Sequence, residues 1–120
     1  MIKQTIKYTD FNGTERNEDF YFNLTKAEVT EMELSQEGGL TATIQKVIDE
    51  KDSKKMVEIF KDLILKSYGE KSEDGRRFIK NDKIREEFAQ TEAYSELFYK
   101  LATNAEEATA FVNGITPSAL

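Results

Sequence analysis

The stretch YFNLTKAEVTEMEL (Tyr21–Leu34) decides how this chain folds, because the spacing of its apolar residues changes partway through. Up to Phe22 the apolar side chains alternate, as on a strand with one buried face; from Leu24 onward they recur at helical intervals. The change falls on a helix start signal. The Thr25 hydroxyl is placed to accept from the Glu28 amide, the Glu28 carboxylate to accept from the Thr25 amide, and Leu24 to staple onto Val29.

Toward the N-terminus, Ile2, Ile6 and Tyr8 share one parity in a first run and Phe20 and Phe22 alternate in a second, with Asn12 and Gly13 between the two runs. Asn and Gly tolerate positive φ at little cost, so Asp10 to Gly13 can reverse the chain. The spacing predicts two antiparallel strands, about 2–9 and 14–23. A hairpin alone is marginal in water, so this one must pack on the helices or pair with another copy.

Toward the C-terminus the period is helical almost throughout. Gly38 and Gly39 are expected to end the first helix, and Leu40, Ile44, Val47 and Ile48 to build a second over about 39–50. From Asp52 to Tyr68 apolar residues run most of the way round a third, expected to be the buried one and capped by Gly69. Residues 69–80 read as an exposed loop anchored by Phe78 and Ile79. Two further helices part near Thr91, and a last one runs from Asn104 to Gly114. The expected fold is α+β, mainly α: an N-terminal β-hairpin followed by a compact bundle of five or six helices. We take 1–113 as a single domain and 114–120 as a flexible tail.

Composition narrows the chemistry. Among 120 residues there is no His, Cys or Trp, which removes Ser/His/Asp triads, thiolate nucleophiles, zinc fingers and disulfides. MIKQTIK at Met1–Lys7 lacks the apolar run of a signal peptide, and no stretch reaches the length of a membrane span. A net charge of −6, from 17 basic and 23 acidic side chains, argues against nucleic acid bound on a basic face.

The remaining motifs favour structural readings. Glu70, Ser72, Asp74 and Gly75 imitate the start of a calcium loop, yet Arg77 and Asn81 stand where that loop needs an apolar residue and a bidentate Glu. Arg76 and Arg77 have the chemistry of an anion clamp but are expected to pair with Glu73 and Asp74. Glu86 with Glu87, and Glu106 with Glu107, point about 100° apart on a helix and so do not converge on one substrate atom. Gly38 and Gly39 lack the Lys or the glycine spacing of a phosphate cradle. No catalytic, cofactor or metal residues are expected, and the chain is read as a non-enzyme. The series Phe88, Tyr94, Phe98, Tyr99 and Phe111 is richer than a small core needs. Phe88, Tyr94 and Phe98 are assigned to the core, leaving one face for a partner.

YFNLTKAEVTEMEL, together with LKSYGEKSEDGRRFI (Leu65–Ile79) and FAQTEAYSELFYKLAT (Phe88–Thr103), resembles the tail assembly chaperones of long-tailed phages, particularly those of phages and prophages infecting Gram-positive bacteria. The resemblance implies a small, mainly helical, non-catalytic protein that binds the tape measure protein, keeps it soluble and helps recruit tail tube protein. It implies work in the host bacterial cytoplasm and absence from the mature virion. Many relatives also have a frameshifted longer form, of which a chain ending at Leu120 would be the short counterpart. Within this reading the expected partner surface is Leu97, Phe98, Tyr99 and Leu101, with the hairpin edge second. The oligomeric state stays open. The competing readings are a small structural tail component kept in the virion and an acidic decoy for a host protein; interleaved basic residues weaken the second.

Overall fold

The alternation read at the N-terminus forms the expected hairpin. In the computed structural model, which describes residues 1–34, 40–50 and 53–117, strand β1 is Ile2–Thr9 and β2 is Glu15–Phe22. They pair antiparallel with Ile2 opposite Phe22 and Thr9 opposite Glu15. The turn closes through Asp10, whose carbonyl accepts from the Gly13 amide (3.0 Å) and whose carboxylate accepts from the amides of Asn12 (2.9 Å) and Thr14 (3.0 Å). Gly13 sits at φ 81°, where a side chain would be strained.

Six helices are found among the described residues: α1 Lys26–Leu34, α2 Leu40–Glu50, α3 Ser53–Ser67, α4 Asp82–Ala89, α5 Glu92–Thr103 and α6 Ala105–Ile115. With the hairpin they make the mainly α, α+β fold read from the sequence. The capping box at the start of α1 is made in both directions. Thr25 N–H donates to Glu28 Oε1 (2.9 Å), and Glu28 N–H donates to Thr25 Oγ1 (3.2 Å). Thr91 caps α5 by accepting from the Tyr94 amide (3.2 Å), and Asn104 caps α6 by accepting from that of Glu107 (3.1 Å).

The segment expected as an exposed loop is instead a second hairpin. Strands β3 (Tyr68–Lys71) and β4 (Phe78–Ile79) extend the sheet in the order β1-β2-β3-β4. These strands are too short to show a period. They form because β2 offers them an edge, where Tyr21 faces Gly69, Phe22 faces Tyr68, and the Asn23 amide donates to the Ser67 carbonyl (2.8 Å). Gly69 is therefore not a helix cap. A Cβ there would lie 2.7 Å from the Phe78 ring and 2.8 Å from the Ile79 carbonyl oxygen, so strand packing requires the glycine.

The core lies between the sheet and the helices. Phe22, fully buried, has the rings of Tyr68, Phe88 and Phe111 within 5.8 Å, centroid to centroid, and Tyr68 stacks on Phe88 at 4.1 Å. Helix α3 buries Met56, Phe60, Leu63 and Ile64, whereas Val57 is exposed, so its apolar surface is one broad stripe and not a full wrap. Ser67 is buried at the end of that stripe and donates to the Leu63 carbonyl (2.6 Å). Helix α6 continues one residue past the expected stop at Gly114. Ile115 is fully buried, and its carbonyl accepts from the Leu24 amide (2.8 Å), tying the last helix to the exit of the hairpin. The expected helix break at Gly38–Gly39, the start at Asp52 and the end of the tail at 118–120 lie outside the described residues.

Candidate functional site

Helix α5 carries the residues assigned to a partner surface, and it turns them in different directions. Leu97 and Leu101, one turn apart, are 2% and 1% exposed and join Ala93 in a stripe that faces the core. Phe98 is partly buried, its ring 6.0 Å from that of Tyr94. Tyr99 is 69% exposed. Of the four, only Tyr99, with the margin of Phe98, is available to another molecule without unfolding the helix. Phe88, assigned to the core, is buried there, and Tyr94 packs against it.

Tyr99 borders a groove that the sequence reading mentions only as an edge. Because α5 packs on β1, a cavity of about 210 Å³ opens between them, lined by Gln4, Thr5, Ile6, Lys7, Glu96, Leu97, Tyr99 and Lys100. A second, of about 490 Å³, shares Lys7 and Glu96 and runs on past Tyr8, Thr9, Glu15, Arg16 and Asn17. The first lies beside the edge of β1 that no strand among the described residues covers, and the second spans both strands at the far end of the hairpin. A third, of about 440 Å³, lies where β3 leaves β2 and is lined by Glu18 to Tyr21 and Tyr68 to Lys71.

Several polar groups near these grooves are already engaged. At the hairpin end the Tyr8 hydroxyl donates to Glu18, and Arg16 pairs with Asp10 (2.6 Å) and Glu18 (3.4 Å). The hydrogen bond to Glu18, then burial, then the Glu18 charge push the Tyr8 hydroxyl up to about 12. The Arg16 hydrogen bond, followed by the Thr14 amide, holds Asp10 below the usual carboxylate range. In the loop 72–77 Asp74 accepts from Ser72 Oγ (2.7 Å) and the Arg76 amide (3.0 Å), and Ser72 Oγ accepts from the Arg77 amide (3.0 Å). The residues that imitate a calcium loop thus brace a turn. Arg76 and Arg77 are linked to them through backbone amides and not, as expected, through guanidinium pairs.

Two acidic side chains of the weighed motifs have structural partners. Glu107 pairs with Lys100 (3.5 Å), while Glu28 receives Lys80 (2.8 Å), whose ammonium also donates to the Asn23 carbonyl (2.7 Å). Burial alone would raise the Glu28 carboxyl; the hydrogen bonds from Lys80 and Thr25 outweigh it and lower it instead. Among the described residues no buried side-chain polar atom lacks a partner, and no group of three or more His, Cys, Asp or Glu is gathered as a metal site. None of the described helices is long and apolar enough to cross a membrane.

A family model described as phage tail assembly chaperone matches the chain over residues 1–120. Neither any curated protein nor any solved structure matches it.

Proposed function

The chain belongs to the phage tail assembly chaperone family, and from that premise we propose that it binds the tape measure protein, keeps it soluble and helps recruit tail tube subunits around it. The family match carries this reading, and the surface of the molecule supports it. Of the two largely exposed aromatics among the described residues, Phe11 at the hairpin turn and Tyr99, it is Tyr99 that stands beside the open groove at β1, on a body with a net charge of −6. An apolar stripe on a helical polymer would be covered by Tyr99 and the margin of Phe98, and the acidic body would keep the complex soluble. No step of this task requires a bond to be made or broken. The work is done in the host bacterial cytoplasm, and the chaperone leaves before the tail is finished.

Co-expression with the tape measure protein of the same phage, followed by size-exclusion chromatography, tests the reading. A tape measure protein soluble only in the presence of this chain, with Tyr99→Ser reducing the shared peak and leaving the urea midpoint unchanged, is the expected result. A tape measure protein that precipitates while this chain elutes alone overturns it. So does recovery of the chain in stoichiometric amounts from purified virions.

A further inference from the structure

An asparagine followed by glycine is prone to cyclise, because glycine puts no side chain in the way when its amide nitrogen turns back onto the asparagine carboxamide. The chain holds two such pairs, Asn12 with Gly13 and Asn113 with Gly114, and a related acid, Asp74 with Gly75. Both asparagines are exposed, so exposure does not separate them. The cost of freeing the glycine amide does.

Gly13 closes the turn between β1 and β2 at φ 81°. Its amide donates to the Asp10 carbonyl (3.0 Å), and a Cβ built on it would meet nothing within 4 Å. The Asn12 amide donates to the Asp10 carboxylate (2.9 Å), but its carboxamide has no hydrogen-bond partner among the described residues. Freeing the Gly13 nitrogen therefore takes one exposed hydrogen bond at the tip of a ribbon, which slows the reaction by about tenfold relative to an unfolded chain. Gly114 is held from all sides. It lies near the end of α6, a Cβ there would be 2.5 Å from Ile2 Cδ1, and its neighbour Ile115 is fully buried with its carbonyl on the Leu24 amide (2.8 Å). Turning that nitrogen lifts the end of α6 off the hairpin, so Asn113 waits for unfolding. Asp74 stands in a turn like that of Asn12, with Gly75 at φ 73° and its amide on the Ser72 carbonyl (2.9 Å). Its carboxyl, however, is held ionised by Ser72 Oγ and the Arg76 amide, and a carboxylate offers no leaving group.

We propose that Asn12 is a self-modifying residue of the folded protein, converted by water to aspartate and isoaspartate through a succinimide that the hairpin turn permits and that α6 forbids at Asn113. The Gly13 amide gives its proton to solvent base, and its nitrogen bonds to Asn12 Cγ. The bond from Cγ to Nδ2 breaks, and ammonia leaves with a proton from water. A second water opens the ring at one of the two carbonyl carbons bonded to the Gly13 nitrogen. Opening at Cγ gives aspartate; opening at the backbone carbonyl carbon gives isoaspartate, whose main chain is one methylene longer. Either product adds a negative charge beside the Asp10 carboxylate. Isoaspartate also lengthens a turn that the amides of Asn12, Gly13 and Thr14 close on Asp10, which loosens the tip and leaves the aromatic base in place. This chemistry does not rest on the tape measure reading.

The full chain is incubated for days in mildly alkaline buffer, folded or in concentrated urea, and its peptides are mapped by mass spectrometry with isoaspartate detection. In the folded protein residue 12 is expected to gain about 1 Da, as one amide becomes one acid, at least about ten times faster than residue 113, with Asp74 unchanged. In urea the two asparagines are expected to convert at similar rates. On anion exchange the folded protein should develop a later, more acidic peak. Asn12→Gln, whose longer side chain must close a larger ring, should abolish that peak. An Asn12 that converts in urea but stays intact in the folded chain overturns the proposal, because the turn then holds it shut. Equal conversion of residues 12 and 113 in the folded chain overturns it as well, as does an Asn12 that stays intact under both conditions.

Discussion

At its base the β1–β2 hairpin sets Phe22 among the rings of Tyr68, Phe88 and Phe111, whereas at the far end of the same strand Arg16 and Glu18 meet Asp10 and Tyr8 largely in water. The base is held by removal of apolar surface, which is insensitive to salt and pH and intolerant of lost volume. The outer half is held by its ladder and by exposed charges, which contribute little to stability and are screened by salt. One piece of secondary structure therefore does two jobs: its base anchors the sheet to the helices, and its outer half is left with free edges.

Phe22→Ala is the strongest way to break that contrast. Emptying a fully buried aromatic site should cost about 3–5 kcal/mol, a large share of the stability of a domain this size. The loss would be read as a fall in the urea midpoint. A shift no larger than that of an exposed substitution would mean that the aromatic centre is not the anchor.

Gly69→Ala comes next. The new methyl group meets the Phe78 ring and the Ile79 carbonyl oxygen, and because backbone cannot step aside, about 1–3 kcal/mol should be lost. If β3–β4 were a loose addition to the sheet, the same substitution would be nearly neutral.

These two sites also show what the sequence makes legible. Phe22 is readable as core because its parity and the switch to helical spacing at Leu24 are local, and the caps at Thr25, Thr91 and Asn104 are readable for the same reason. Gly69 is not, since its reason lies in contacts with residues 78 and 79 that exist only once the strands have paired. Helix α5 falls between. The run from Leu97 to Leu101 announces an apolar helix, but adjacent apolar positions leave its rotation open, so Leu97 and Leu101 were expected outside and lie inside with Ala93. The stripe Ala93, Leu97, Leu101 was the available signal.

Between base and tip stands Lys80, which joins Glu28 of the capping box to the Asn23 carbonyl at the exit of β2. Lys80→Met should cost about 1 kcal/mol near neutral pH, given that water still reaches part of the Glu28 carboxylate. The folded state lowers the Glu28 carboxyl, so its contribution is fully present above the ordinary carboxylate range and is lost as pH falls through the lowered value. Urea midpoints of wild type and variant should therefore differ at neutral pH and converge in acid. A difference that grows on acidification would place the stabilisation elsewhere.

Glu18→Gln should change the tip and leave the base untouched. The carboxylate of Glu18 accepts from the Tyr8 hydroxyl, and together with burial it keeps that phenol protonated up to about pH 12. With a neutral amide in its place, ionising Tyr8 no longer sets two negative charges side by side, so its titration should move toward the ordinary phenol range, about 10. Phenolate absorbance during an alkaline titration would report this as the loss of a late-titrating tyrosine, with the urea midpoint unchanged. Should the variant instead unfold at a lower urea concentration, the polar cluster at the tip supports the fold as the aromatic one does. The two halves of the hairpin would then be a single structural unit, with the tip bearing on stability as the buried base does.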